Sequence, residues 1–162
     1  FPDAKKVGLL YCSGEPNSLY QIKVIKEYLE TKGITCTAFP FSDSNDVALV
    51  TEAAATASDV IYVPTDNTAA SCSATIGNIV TSKKVPVIAG EEGICSGCGV
   101  ATLTISYYDL GYKTGEMSAK ILLGTEKIEN MPIAYAPATK KYNETIVNEL
   151  GISIPDGYDK IG

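Results

Sequence analysis

Short apolar runs alternate with stretches whose apolar residues recur every three to four positions along most of the chain. Lys6-Val-Gly-Leu-Leu-Tyr-Cys12 is an apolar run bounded by turn residues, the pattern of a buried strand. Pro16, Asn17 and Ser18 are helix-start residues; Leu19, Ile22, Ile25, Tyr28 and Leu29 follow at helical spacing, and Gly33 stops the helix. Ile34 to Phe41 alternates and reads as a second strand. Ser42-Asp-Ser-Asn45 caps a helix from about Asp46 to Ala57, and Asp59-Val-Ile-Tyr-Val63 is a third strand. A helix runs from Thr65–Thr68 to about Lys83, followed by a fourth strand, Val85-Pro-Val-Ile-Ala89. The rhythm then changes. Gly90 to Gly99 reads as a glycine- and cysteine-rich loop, Val100 to Ile105 as a fifth strand, and Tyr107 to Leu123 as a long helix ended by Gly124. Ile133–Ala136 is expected as a late strand, Lys140–Leu150 as a last helix, and Ile152–Gly162 as an extended tail.

Strands alternating with helices predict one α/β domain over residues 1–162, a three-layer α/β/α arrangement with a right-handed, mostly parallel sheet. Three polar turns each follow a strand: Ser13-Gly-Glu-Pro-Asn-Ser18, Pro64-Thr-Asp-Asn-Thr68 and Gly90-Glu-Glu-Gly93. In an open parallel sheet the loops after the strands line one crevice, where ligands bind. All three turns suit a small polar molecule, and none carries an evident catalytic machine.

Composition narrows the chemistry. With 162 residues, 45% hydrophobic and 20% charged, the chain has enough apolar residues for a core and too many for disorder. A net charge of −6 argues against non-specific nucleic-acid binding. The sequence has no Arg, His or Trp. Lack of His removes the commonest general base and metal ligand, and lack of Arg removes the bidentate clamp for anions. An anionic ligand group would therefore need backbone N–H groups, hydroxyls or Lys. No stretch is long and apolar enough to span a bilayer, and no signal peptide is visible. The start at Phe1 reads as that of a trimmed or mature fragment, so the native address is not legible from this end. Cys12 and Cys36 sit in strand patterns and are expected as small buried residues.

Each turn has a plain structural role beside a functional one. In Ser13–Ser18, Asn17 or Ser18 suits helix capping and Pro16 a helix start. Free N–H groups there also attract anions, which makes Ser13, Asn17 and Ser18 candidate ligand contacts. Asp66, Asn67 and Thr68 suit a cap with an Asx-turn, or Asp66 pairs with a ligand ammonium, worth ~1.5–3 kcal/mol. Glu91-Glu92 is either a solvated loop or a pair of which one member faces a ligand amine or hydroxyl. A glycosidase pair is disfavoured, because neighbouring side chains point apart rather than across a substrate. Tyr107 and Tyr108 suit packing at a helix start and Asp109 the helix dipole; alternatively a Tyr stacks on the ligand or Asp109 hydrogen-bonds it. Cys95-Ser-Gly-Cys98 is a CxxC without a second CxxC or any His, in a late loop rather than at a first helix. It reads as incidental or as a disulfide-clipped loop, and no catalytic residue, metal site or cofactor is assigned.

Together Lys6–Tyr11, Ser13–Ser18, Asp59–Thr68, Val85–Gly93 and Tyr107–Leu122 resemble ABC-transporter substrate-binding proteins, the family that includes tryptophan- and tyrosine-type uptake lipoproteins. The resemblance covers most of the chain, ending near Gly151–Pro155. It implies one lobe of a type I periplasmic-binding fold, the second of two lobes hinged around a cleft. It implies an extracytoplasmic receptor, membrane-anchored or periplasmic, that delivers a small solute to an ABC permease, the solute being an amino acid, with aromatic ones among the candidates. Glu15, in a matched turn, joins Ser13, Asn17, Ser18, Asp66, Asn67, Thr68, Glu91, Glu92, Tyr107 and Asp109 as ligand-binding candidates. Residues 107–124 become a crossover helix belonging to the first lobe, which should here fold back or swap into a homodimer. Two alternatives remain open: the sensor domain of a transcription regulator, which shares this fold, and a thiol-redox or flavodoxin-like enzyme using Cys95 and Cys98.

Overall fold

The computed structural model describes residues 1–161. Seven strands form one sheet in the order β2-β1-β3-β4-β5-β6-β7. The first five strands, β1 (Lys6–Cys12), β2 (Thr35–Phe41), β3 (Val60–Val63), β4 (Val87–Ala89) and β5 (Ala101–Ile105), are mutually parallel. β6 (Ala138–Tyr142) runs antiparallel to β5, and the two-residue β7 (Asp159–Lys160) lies parallel to β6. This is the expected α/β arrangement.

Alternation along each strand divides the core. Leu10 and Cys12, with Ile61, Val63, Val87 and Ala89, face α2 (Val47–Ala57), α3 (Asn67–Ser71), α4 (Ser73–Ser82) and α5 (Glu92–Cys98). Val7, Leu9 and Val60 meet Ile22 of α1 (Pro16–Thr31) on the other face. α7 (Glu144–Leu150) packs Ile146 and Val147 against Val100 and Ala101 at the β5 side. The end of α1 shows why Gly33 stops it. Its φ is +76°, and the Gly33 and Ile34 amides donate to Glu30 and Leu29 carbonyls, closing the last turn.

Several expected elements are corrected. The single helix through Lys83 is broken at Cys72, whose φ of −108° and ψ of 9° leave the helical range and whose amide is shared between the Thr68 and Ala69 carbonyls. The loop 90–99 contains a helix, α5. Its two glycines conceal it in the sequence, but Glu91 caps it and Ile94, Cys95 and Cys98 are buried on one face. No strand forms at 133–136. The strand lies at Ala138–Tyr142, within the segment assigned to a helix, because Thr139, Lys140 and Lys141 pair with Thr104, Leu103 and Thr102 of β5. The last helix starts at Glu144, capped by Asn143. The tail makes β7 rather than leaving the sheet; Gly162 lies outside the described residues. Cys36 is half-buried rather than buried, because β2 is the outermost strand. Pro40 occupies that outer strand, opposite Tyr11. The helix α6 (Tyr107–Leu122) does not fold back: none of its residues is buried.

α4 and α5 approach closely at two glycines. A Cβ on Gly77 would lie 2.3 Å from the Gly97 carbonyl oxygen, a backbone atom that cannot step aside. Gly77→Ala is expected to lower unfolding free energy by about 1–3 kcal/mol, read by urea denaturation. A neutral substitution would mean the two helices separate without cost.

Candidate functional site

β1 is followed in space by β2 on one side and β3 on the other, so the chain reverses direction of winding between β1 and β3. The crevice above that reversal is where an open α/β sheet ordinarily binds its ligand. Here the protein's own carboxylates fill it. Asp66 is 1% exposed. Its Oδ2 accepts from the Cys12 amide and the Ser18 hydroxyl, both at 2.7 Å, and its Oδ1 caps α3 through the Ala69 amide at 2.8 Å. Glu15 reaches over from the β1–α1 turn. Its Oε2 accepts from the Asn67 amide and Asn67 Nδ2, and its Oε1 from the Thr68 amide and Thr68 hydroxyl, each at 2.9 Å. The amides at the start of α3 are thus neutralised internally. Burial alone pushes the Glu15 carboxyl up, but the hydrogen bonds from Asn67 and Thr68 outweigh it and bring it down to about 2.

The β3–α3 loop is fixed again at Thr65. Gln21 Oε1 accepts the Thr65 amide at 3.0 Å, and Asn17 Nδ2 donates to the Thr65 carbonyl at 2.8 Å. The β4–α5 loop presses on the same place. A Cβ on Gly90 would sit 2.5 Å from the Thr65 nitrogen, so only glycine lets the two backbones touch. Glu91 then caps its own helix, accepting from the Gly93 amide at 2.7 Å and from the Ile94 amide. Glu92 points elsewhere and pairs with Lys141 of β6 at 2.7 Å.

Beyond these contacts a cavity of about 240 Å³ opens beside the crevice, lined by Thr65, Asp66, Asn67, Ala70, Glu91, Gly93 and Tyr107. Tyr107 begins α6 and is 58% exposed. The cavity therefore joins four of the candidate residues, Asp66, Asn67, Glu91 and Tyr107. Glu15 and Thr68 stand behind it, bonded to each other. Ser18 is buried against Asp66, and Asn17 holds Thr65. Ser13 turns away, its amide and hydroxyl both donating to the Phe41 carbonyl. Glu92 and Asp109 do not line the cavity; Asp109 is exposed on α6, its amide capped by Ser106.

Sequence reasoning missed Gln21, Ala70 and Gly93. Gln21 was legible in principle, since it lies one turn beyond Asn17 on the same face of α1. The two thiols of Cys95-Ser-Gly-Cys98 lie in the core and not at an exposed loop. Both thiols are free and buried, and burial with the nearby Glu91 charge pushes Cys95 up to about 12 and Cys98 higher still. Among the described residues no group of three or more potential ligands could hold a metal.

The sequence model of the ABC transporter substrate binding protein family matches residues 1–160. The chain belongs to that family. A tyrosine-binding protein of Clostridioides difficile is 32% identical over 148 residues, covering 91% of this chain and 41% of that protein. A structure of an ABC domain in complex with L-Trp from Streptococcus pneumonia is 32% identical, with a TM-score of 0.86 over 99% of this chain and 56% of that one. A ligand-free, open substrate-binding protein with adhesive properties from Clostridium difficile is 37% identical, with a TM-score of 0.81, covering 99% and 55%. The chain thus spans about half the length of these family members.

Two measurements test the site's chemistry. Glu15 is held below its ordinary value when folded, so its contribution is present above pH about 4.5 and is lost as pH falls toward about 2. Glu15→Gln is expected to be less stable than the parent by roughly 1 kcal/mol near neutral pH after solvent screening, the gap closing in acid. Urea titrations between pH 2 and 7 read it, and a constant gap would contradict the assignment. Iodoacetamide at pH 8 is expected to leave Cys95 and Cys98 unmodified in the native protein and to label both in urea. Rapid native labelling of either would overturn their placement in the core.

Proposed function

We propose that this chain is one lobe of an extracytoplasmic solute receptor, a lipoprotein or periplasmic component, that delivers an amino acid with an aromatic side chain to an ABC permease. The observation that carries this reading is the cavity at the C-terminal ends of β3, β4 and β5, where Tyr107 stands beside Asn67, Glu91 and Asp66. An aromatic wall with carboxylate and amide oxygens suits a ring and an ammonium group in one small molecule. Family membership and the tyrosine- and L-Trp-binding relatives support the solute class.

On this reading the solute sits between two lobes and favours their closed arrangement through contacts made to both. Tyr108 (80% exposed) and Leu122 (87%) of α6 belong to the surface that a second lobe would cover, with α6 as the crossover helix. Tyr107 supplies the ring contact, Asn67 and Glu91 the polar ones. The wall of α3 and α5 amides is already neutralised by Glu15, Asp66 and Glu91, so the solute carboxylate is met elsewhere.

Thermal-shift and calorimetric titrations of the full-length receptor and of this chain should be run against the amino acids, with sugars and nucleosides as controls. L-tyrosine or L-tryptophan at 100 times its Kd should add about 2.7 kcal/mol to the apparent stability of the full-length receptor. This chain alone is expected to respond weakly. A response to a sugar or nucleoside with none to any amino acid would overturn the solute class.

A further inference from the structure

We infer that Glu15 is a positioning residue for the solute: it fixes the orientation of the Asn67 side chain, so that Asn67 meets the solute as a hydrogen-bond acceptor. This deepens the reading of the cavity as a solute site and rests on it. Asn67 lines the cavity at the start of α3, and it is exposed. An exposed asparagine would ordinarily present its amide nitrogen or its oxygen with equal ease. Glu15 removes that freedom. An ionised carboxylate only accepts, so the Asn67 group 2.9 Å from Glu15 Oε2 has to be the Nδ2 amino group. One of the two amino hydrogens is committed to Glu15 and the flip that would exchange nitrogen and oxygen is blocked, which leaves Oδ1 on the side away from the carboxylate.

The same carboxylate holds the Asn67 and Thr68 amides, so side chain and backbone of this corner are fixed together. The bond is made across 52 residues of sequence, from the β1–α1 turn to the β3–α3 turn. Neither turn otherwise restrains the Asn67 side chain. The consequence is chemical selection. An Oδ1 acceptor takes a donor, an ammonium, a phenol or an indole N–H, and repels a carboxylate or carbonyl oxygen. A freed Asn67 would take either.

A double-mutant cycle in the full-length receptor tests this, using whichever solute of the amino-acid panel it binds. Glu15→Ala is expected to weaken binding about ten-fold, Asn67→Ala to weaken it similarly, and the double variant to be no weaker than Asn67→Ala alone. Glu15→Gln, whose Oε1 still accepts hydrogen bonds on one side, is expected to recover part of the loss. Asp59→Asn serves as the control for stability. Asp59 accepts from the Lys5 and Lys6 amides at the opposite end of the strands, so this change should lower the melting temperature and leave Kd unchanged. Additive losses in the cycle would mean that Glu15 acts on the solute directly, and would overturn the inference. So would an unchanged Kd in Glu15→Ala, with the solute-receptor reading intact. A parent receptor that binds no member of the panel would overturn both.

Discussion

The Asp66 carboxylate organises this lobe. It is buried, and it joins three things that sequence keeps apart: the end of β1 through the Cys12 amide, the start of α1 through the Ser18 hydroxyl, and the first turn of α3 through the Ala69 amide. Each donor is a group that would be expensive to leave unpaired away from water. Glu15 extends the same principle outward, and Gln21 and Asn17 complete it at Thr65. The result is a crevice floor in which the starts of α3 and α5 are already met by the protein's own carboxylates. Open α/β sheets commonly place a phosphate or carboxylate of the ligand at such termini. This lobe supplies its own, and the open space is displaced sideways, bounded by the segments after β3, β4 and β5.

That displacement explains why part of the site was legible in the sequence and part was not. The three polar turns stood out because each follows a buried strand, and all three do meet at one end of the sheet. Their residues could not be sorted by role, because an Asp at a helix start looks the same whether it caps its own helix or faces a solute. Asp66 and Glu91 both cap their own helices while lining the cavity. Adjacent Glu91 and Glu92, puzzling as a pair, separate at once in three dimensions, one to the amides of α5 and one to Lys141. The partner of Glu15 lies 52 residues away, beyond any local pattern.

The fold followed the apolar periodicity in most elements. β1 to β5 and α1, α2 and α6 stand close to where period and caps put them. The errors cluster where burial and pattern part company. α5 is short, glycine-containing and buried, so its helical period is barely two turns long. β6 is polar and lies near the sheet's margin, so Thr139, Lys140 and Lys141 carry no apolar alternation to announce a strand.

Pro40 has a consequence for the molecule's company. Strand β2 forms one margin of the sheet, and a margin offers its unpaired amides and carbonyls to any passing strand. A proline there has no amide to offer and interrupts the row. At the other margin β7 is two residues long, too short to template a neighbour. The sheet is therefore a poor seed for strand-by-strand growth, whatever apolar surface α6 leaves exposed.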